Sequence, residues 1–161
     1  METFAWAKRT TTRNGSVYWQ RLLAAAIGVL DVPPDQAIEA FSQFFYEDAL
    51  TRWPKWFEMS HNAREFLERQ PRIHNGFATG LQDPAARRAI NEKFQLHSSS
   101  DETIVRYRSP NKLCGLYKAL ARCIIDHFGD SAAIEETQCL KHGARHCEIH
   151  IHWLETEGVV T

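Results

Sequence analysis

The hydrophobic period changes at Phe94, and no other feature narrows the possible folds of this chain as much. Before that point apolar residues recur at helical spacing; from "FQLHSSS" onward they alternate. A 3.6-residue stripe buries one face only as a helix, and an alternating segment does so only as a strand. The segments "FQLHSSS" and "TIVRYRS" flank the turn signal Asp101-Glu102 and read as an antiparallel hairpin. On its second strand Val105, Tyr107 and Ser109 share one face, and Arg106 and Arg108 the other.

Helical spacing returns in "NKLCGLYKALARCIIDHF", with Leu113, Leu116, Leu120, Ile124 and Phe128 predicted inward and Gly129 as the stop. Alternation then resumes in "AAIEETQCL" and "HCEIHIHW", joined at Gly143. Upstream, "SVYWQRLLAAAIGVL" predicts a helix over residues 16–30, and Pro34 opens a second, whose Ala37, Ile38, Phe41, Phe44 and Phe45 form an aromatic stripe. A short helical turn after Trp53 leads to a helix capped by Ser60 or Asn62, which Pro71 interrupts ahead of His74. Residues 80–93 read as a polar connector of weak helical content. The fold class is α+β: N-terminal helices packed on a four-stranded antiparallel sheet with an inserted helix, ββαββ.

With 161 residues the chain suits one domain, set at residues 16–153 between a flexible polar arm, 1–15, and a polar tail, 154–161. A formal charge of -1 gives no electrostatic case for nucleic acid, and the Lys8, Arg9 and Arg13 cluster reads as a solvated tail. No segment has the apolar run of a signal peptide or membrane span, so the expected location is cytoplasmic. In that compartment Cys114, Cys123, Cys139 and Cys147 are thiols or metal ligands rather than disulfides. Nothing resembles a nucleophile, base and oxyanion arrangement or a phosphate-cradling loop, so an enzyme is not expected.

Chemistry concentrates in "ETQCLKHGARHCEIHIHW". Cys139 and Cys147 flank its turn and face each other across two strands, Cys114 opens the preceding helix, and Glu136 precedes Cys139 by three residues. Together these four form a closed tetrahedral set suited to structural zinc. Residues three apart on a strand normally point to opposite faces, so Glu136 requires a bulge or a strand end; His142 or His146 is the alternative fourth ligand. Cys123 reads as a small core residue, and His150 and His152 as solvent-facing.

The stretches "LLAAAIGVLDVPPDQAIEAFSQFFYED", "LERQPRIHNGF" and "YRSPN" together resemble the H-NOX (heme nitric oxide/oxygen binding) family, over residues 17–153. The resemblance implies heme b ligated by His74, with its propionates held by Tyr107 and Ser109 from the family motif Tyr-x-Ser-x-Arg. Asn111 stands where that motif has arginine, which exchanges a charged bidentate contact for a neutral one. Family members carry further helix before the matched N-terminal segment, which leaves the distal side here open, completed by a partner, or too incomplete to hold heme. The implied function is a gas sensor for NO or CO, with O2 less favoured, signalling to a separate protein such as a histidine kinase or a cyclic-dinucleotide enzyme. Tyr18, Trp19, Tyr46 and Tyr117 are the available distal hydrogen-bond donors.

The Glu-x-x-Cys-x7-Cys pattern also looks like the zinc site of 4-vinyl-reductase-like sensor domains. That likeness implies a second reading, in which Phe41, Phe44, Phe45, Trp53, Trp56 and Phe57 line a cavity for an aromatic or hydrocarbon effector. A third is a heme-free, zinc-stabilised interaction module.

Overall fold

The computed structural model describes residues 31–154, together with Arg21, Ala24, Ala25, Ile27, Gly28 and Val29 before them, and only the backbone at Phe77. Those six residues are helical; the remainder of the first expected helix, the arm, residues 155–161 of the tail, Tyr18 and Trp19 lie outside the described residues.

Helix α1, Pro34–Arg52, begins where its sequence predicts, with proline in the first turn. Its buried face differs from the expected aromatic stripe: Ala37, Ser42 and Ala49 are buried, whereas Phe44 is 66% exposed. Small residues on this face allow close packing against the later helix α6 (Cys114–Phe128). The hydroxyl of Ser42 is satisfied by donating to the Ile38 carbonyl at 2.7 Å.

Three short helices follow: α2, Pro54–Glu58, α3, Ala63–Glu68, and α4, Gln70–Ala78. Asn62 caps α3 by accepting from the Glu65 amide at 2.8 Å, and Glu65 reaches back to the His61 amide at 2.8 Å. Pro71 falls in the first turn of α4, so it restarts the helix that carries His74. The expected connector contains a regular helix, α5, Pro84–Asn91, capped by Asp83 and burying Ala86 and Ile90. Two apolar positions four apart suffice for one docking face, but Arg87, Arg88 and Glu92 dilute that signal in the sequence.

Strands β1, Phe94–Ser98, β2, Glu102–Tyr107, β3, Ser131–Gln138, and β4, Cys147–Leu154, form one antiparallel sheet in the order β1-β2-β4-β3. Alternation holds on the central strands: Thr103, Val105, Tyr107, Cys147, Ile149 and Ile151 all face inward and are at most 2% exposed. The register pairs Val105 with Ile149 and Tyr107 with Cys147. Helix α6 ends at Gly129, whose φ of 69° is the left-handed conformation glycine tolerates.

The core face of α6 is turned from the one expected. Cys114, Tyr117, Ala121, Ile124 and Ile125 enter the core, with Leu113 and Phe128 packed at its edge, while Leu116 and Leu120 are half-buried outside it. Because α6 also packs on α1, apolar residues occupy more than one of its faces, and spacing alone does not say which meets the sheet. Among the described residues no helix is long and apolar enough to cross a membrane.

Candidate functional site

The three thiols from α6, the end of β3 and the start of β4 meet at one corner. Cys114 Sγ lies 3.6 Å from Cys139 Sγ, which lies 3.9 Å from Cys147 Sγ. These separations are too long for an S–S bond, and all four cysteines are free. Tetrahedral zinc with bonds of about 2.3 Å places two sulfurs about 3.8 Å apart, so the spacing suits a shared ion.

Glu136 completes the group: one ligand atom from each of Cys114, Glu136, Cys139 and Cys147 lies within 4.8 Å of all the others. The bulge this requires is present as a register shift between Glu136 and Gln138. Glu136 Oε2 accepts from Lys118 Nζ at 2.7 Å, and Oε1 is buried without a hydrogen-bond partner among the described residues. Burial is the largest influence on the Glu136 carboxylate and works against its charge, but Lys118 together with the neighbouring Cys139 and Cys114 thiols holds the pKa below the usual value.

The thiols behave oppositely. Burial first, then neighbouring sulfurs and carboxylate, push Cys114 upward, and Cys147 rises despite the Leu140 amide, which donates to its Sγ at 3.2 Å. A divalent cation removes that repulsion, since coordinated thiols deprotonate. His146 instead lies 3.6 Å from Glu148, and Cys123 sits away from the corner, against Gln43.

A second group lies where α4 meets β1. His74 is half-buried with its ring 4.9 Å from that of Phe94, and Phe94 in turn packs 5.3 Å from Tyr107 and 5.4 Å from Tyr117. Desolvation, reinforced by the charge of Lys93, pushes the His74 imidazole down to about 3, so it is neutral at physiological pH. Lys93 is itself lowered by desolvation. Burial pushes Tyr107 up to about 12, although the Ser109 hydroxyl and the Leu113 amide, which donates at 3.2 Å, partly offset it.

Ser109 accepts from the Asn111 amide at 3.3 Å, so Tyr107, Ser109 and Asn111 form one continuous turn into α6. Two buried polar atoms on these segments, Asn111 Oδ1 and Tyr117 OH, have no hydrogen-bond partner among the described residues. Buried polar atoms of that kind call for an unseen partner such as water or a ligand. In the sequence Phe94 marks only the change of period, and neither it nor Lys93 carries a site signal beyond their place at the junction of connector and strand.

The aromatic stripe largely packs on itself. Trp53 stacks on Trp56 and Phe57 on Phe66, each pair at 4.8 Å, which fills space rather than lining a cavity. Tyr46 OH lies 2.8 Å from His127 Nδ1 and is thereby engaged.

Fold and sites define an α+β domain in which a helix-borne neutral imidazole and a Tyr-x-Ser turn meet at an aromatic hub, beside a cysteine-rich corner. The chain belongs to the Haem-NO-binding family, whose sequence model matches residues 16–136. Solved structures share the fold. An H-NOX protein from S. oneidensis in the Fe(II)NO state is 19% identical, with 83% of this chain and 72% of that one covered, at a TM-score of 0.65. The H-NOX domain from Shewanella oneidensis in the Fe(II)CO state, also 19% identical, covers 84% and 73% at 0.68. Unliganded Fe(II) H-NOX from K. algicida is 17% identical and covers 86% and 73% at 0.68. No curated protein matches.

Proposed function

We propose that this chain binds heme b through His74 and serves as a sensor of NO or CO. The observation that carries this reading is the neutral imidazole of His74 at the aromatic hub shared with Tyr107, in a chain of the Haem-NO-binding family. Bound there, heme supplies a ferrous iron that takes diatomic gases.

The residues present fit the group. His74 offers a nitrogen lone pair without first losing a proton, and Phe94 and Tyr117 provide flat apolar surface. Tyr107 and Ser109 contribute hydroxyls toward the propionates. Turned about its Cβ–Cγ axis, Asn111 would present its NH2 where the unpartnered Oδ1 now lies. NO or CO is preferred to O2 because, of the expected distal donors, Tyr46 is already engaged with His127 and Tyr117, whose OH has no partner among the described residues, packs on Phe94 beside His74 rather than opposite it. Displacement of His74 moves α4, which is the signal a separate effector such as a histidine kinase or cyclic-dinucleotide enzyme reads.

Structural zinc at Cys114, Glu136, Cys139 and Cys147 accompanies this role. Its charge offsets the clustered thiolates, Lys118 orients the carboxylate, and the ion ties α6 to the β3–β4 connection. Asn111 favours one other reading, a heme-free interaction module held together by the same zinc.

Absorption spectra of protein expressed with heme available separate the two. A Soret band that shifts with NO, disappears in His74→Gly and returns with added imidazole is the expected result. A colourless protein holding one equivalent of zinc, or a band indifferent to His74→Gly, would overturn the heme assignment.

A further inference from the structure

The opposite face of the sheet, away from the core and the cysteine corner, carries a second convergence of metal-binding atoms. His150 and His152 lie two apart on β4 and therefore share a face, and the antiparallel register sets Glu102 of β2 directly across from His152. The Nδ1 atoms of both imidazoles point at one carboxylate oxygen: Glu102 Oε1 is 2.7 Å from His150 Nδ1 and 3.4 Å from His152 Nδ1. Their rings lie nearly parallel, 6.0 Å apart at 24°. One ligand atom from each of the three residues lies within 4.8 Å of the others.

We propose that Glu102, His150 and His152 form a second, open divalent-metal site of the zinc class on the outer face of the sheet. Two imidazoles and a carboxylate are a borderline-soft donor set, which suits Zn2+, Co2+ or Ni2+ better than Mg2+ or Ca2+. Bonds of about 2.0–2.1 Å put neighbouring ligand atoms of a tetrahedral ion about 3.3 Å apart, a spacing the His152–Glu102 pair already has. The shorter His150–Glu102 contact is a hydrogen bond that the ion replaces: the proton on His150 Nδ1 is released to solvent as its lone pair takes the metal, and the two groups separate by about half an ångström.

The surroundings support His150 as a ligand. Its remaining nitrogen, Nε2, faces Glu148 Oε1 at 3.5 Å, so once Nδ1 has given up its proton Glu148 is the carboxylate to which Nε2–H turns, the carboxylate–histidine arrangement of metal sites. Glu148 is itself held by Arg106 at 2.8 Å. Three protein donors leave further coordination positions to water or to a side chain of another molecule. Unlike the cysteine corner, this site takes no ligand from a helix.

The test is Co2+ titration of tag-free protein after the cysteine corner has been filled with one equivalent of Zn2+. A further equivalent is expected to bind without the thiolate charge-transfer bands that cysteine coordination produces. His152→Gln, at a side chain 46% exposed, should weaken that binding at least tenfold and leave the far-ultraviolet circular dichroism unchanged; Glu102→Gln should do likewise, and Cys139→Ser should leave it in place. Absence of a second equivalent, or retention of its affinity in both His152→Gln and Glu102→Gln, would overturn the proposal.

Discussion

In the proposed heme site Asn111 stands where the family motif has arginine, and one side chain there would set the strength of the propionate clamp. Its amide nitrogen supports Ser109, while its side-chain oxygen is buried without a partner among the described residues. Because charge-assisted bidentate contacts are roughly twice as strong as neutral ones, Asn111→Arg is expected to slow heme dissociation about tenfold, or ~1.4 kcal/mol. Transfer of heme to an apo-globin acceptor measures it; an unchanged rate would remove Asn111 from the clamp. His74 has a further consequence in heme-free protein. Its folded pKa of about 3 lies below the ordinary value of 6.5, so the unfolded chain binds the proton more readily. The stability this group contributes is complete above pH 6.5 and falls with acidification toward pH 3, by at most about 1.4 kcal/mol per pH unit. Urea unfolding at stepped pH should therefore show a shallower acid slope in His74→Gln. Residue type and spacing made the approach of Cys139 and Cys147 legible in the sequence, because a strand hairpin brings its ends together by geometry alone; that Glu136 rather than His142 or His146 joins them and Cys114 depends on the bulge after Glu136 and the packing of α6. The convergence on Glu102 was not legible: alternation places His150 and His152 on the outer face but does not say which strand lies alongside.

At the scale of elements, the two ends that meet α3 show the same division. Asn62 caps from the adjacent position, a local signal, and Asn62→Ala is expected to cost about 1 kcal/mol in urea unfolding. The amide of Ala63, fully buried, donates instead to Asp130 Oδ2 at 2.6 Å, from just beyond α6. A charged acceptor for a buried donor contributes more, so Asp130→Ala should cost about 1.5–3 kcal/mol; a loss smaller than that of Asn62→Ala would show the long-range cap to be dispensable. Helices α1 and α4 were readable from their prolines and periodicity. Helix α5 was obscured by its charged residues, and the orientation of α6 was hidden because it is covered on two sides.

Across the whole molecule, the cysteine corner connects elements that are distant in sequence. It joins the start of α6 to the β3–β4 connection, next to the β2 end that carries Tyr107. Chelation of zinc, or Cys147→Ala, is therefore expected to lower the thermal midpoint clearly and to perturb Tyr107 as well, since Tyr107 pairs with Cys147 in register. Thermal unfolding with metal analysis checks the first effect, and near-ultraviolet circular dichroism the second; a variant that melts normally and keeps its metal would exclude the staple. The sequence alone determined the α+β class, the strand pairs about their turns, and which residues alternate into the core, because these depend on periodicity and short-range geometry. Tertiary structure decided which face of α6 meets the sheet, that Phe94 links His74 to Tyr107, and that Glu102 stands between two histidines. Those depend on how elements far apart in the chain pack together, and contacts of that kind leave no local period to read.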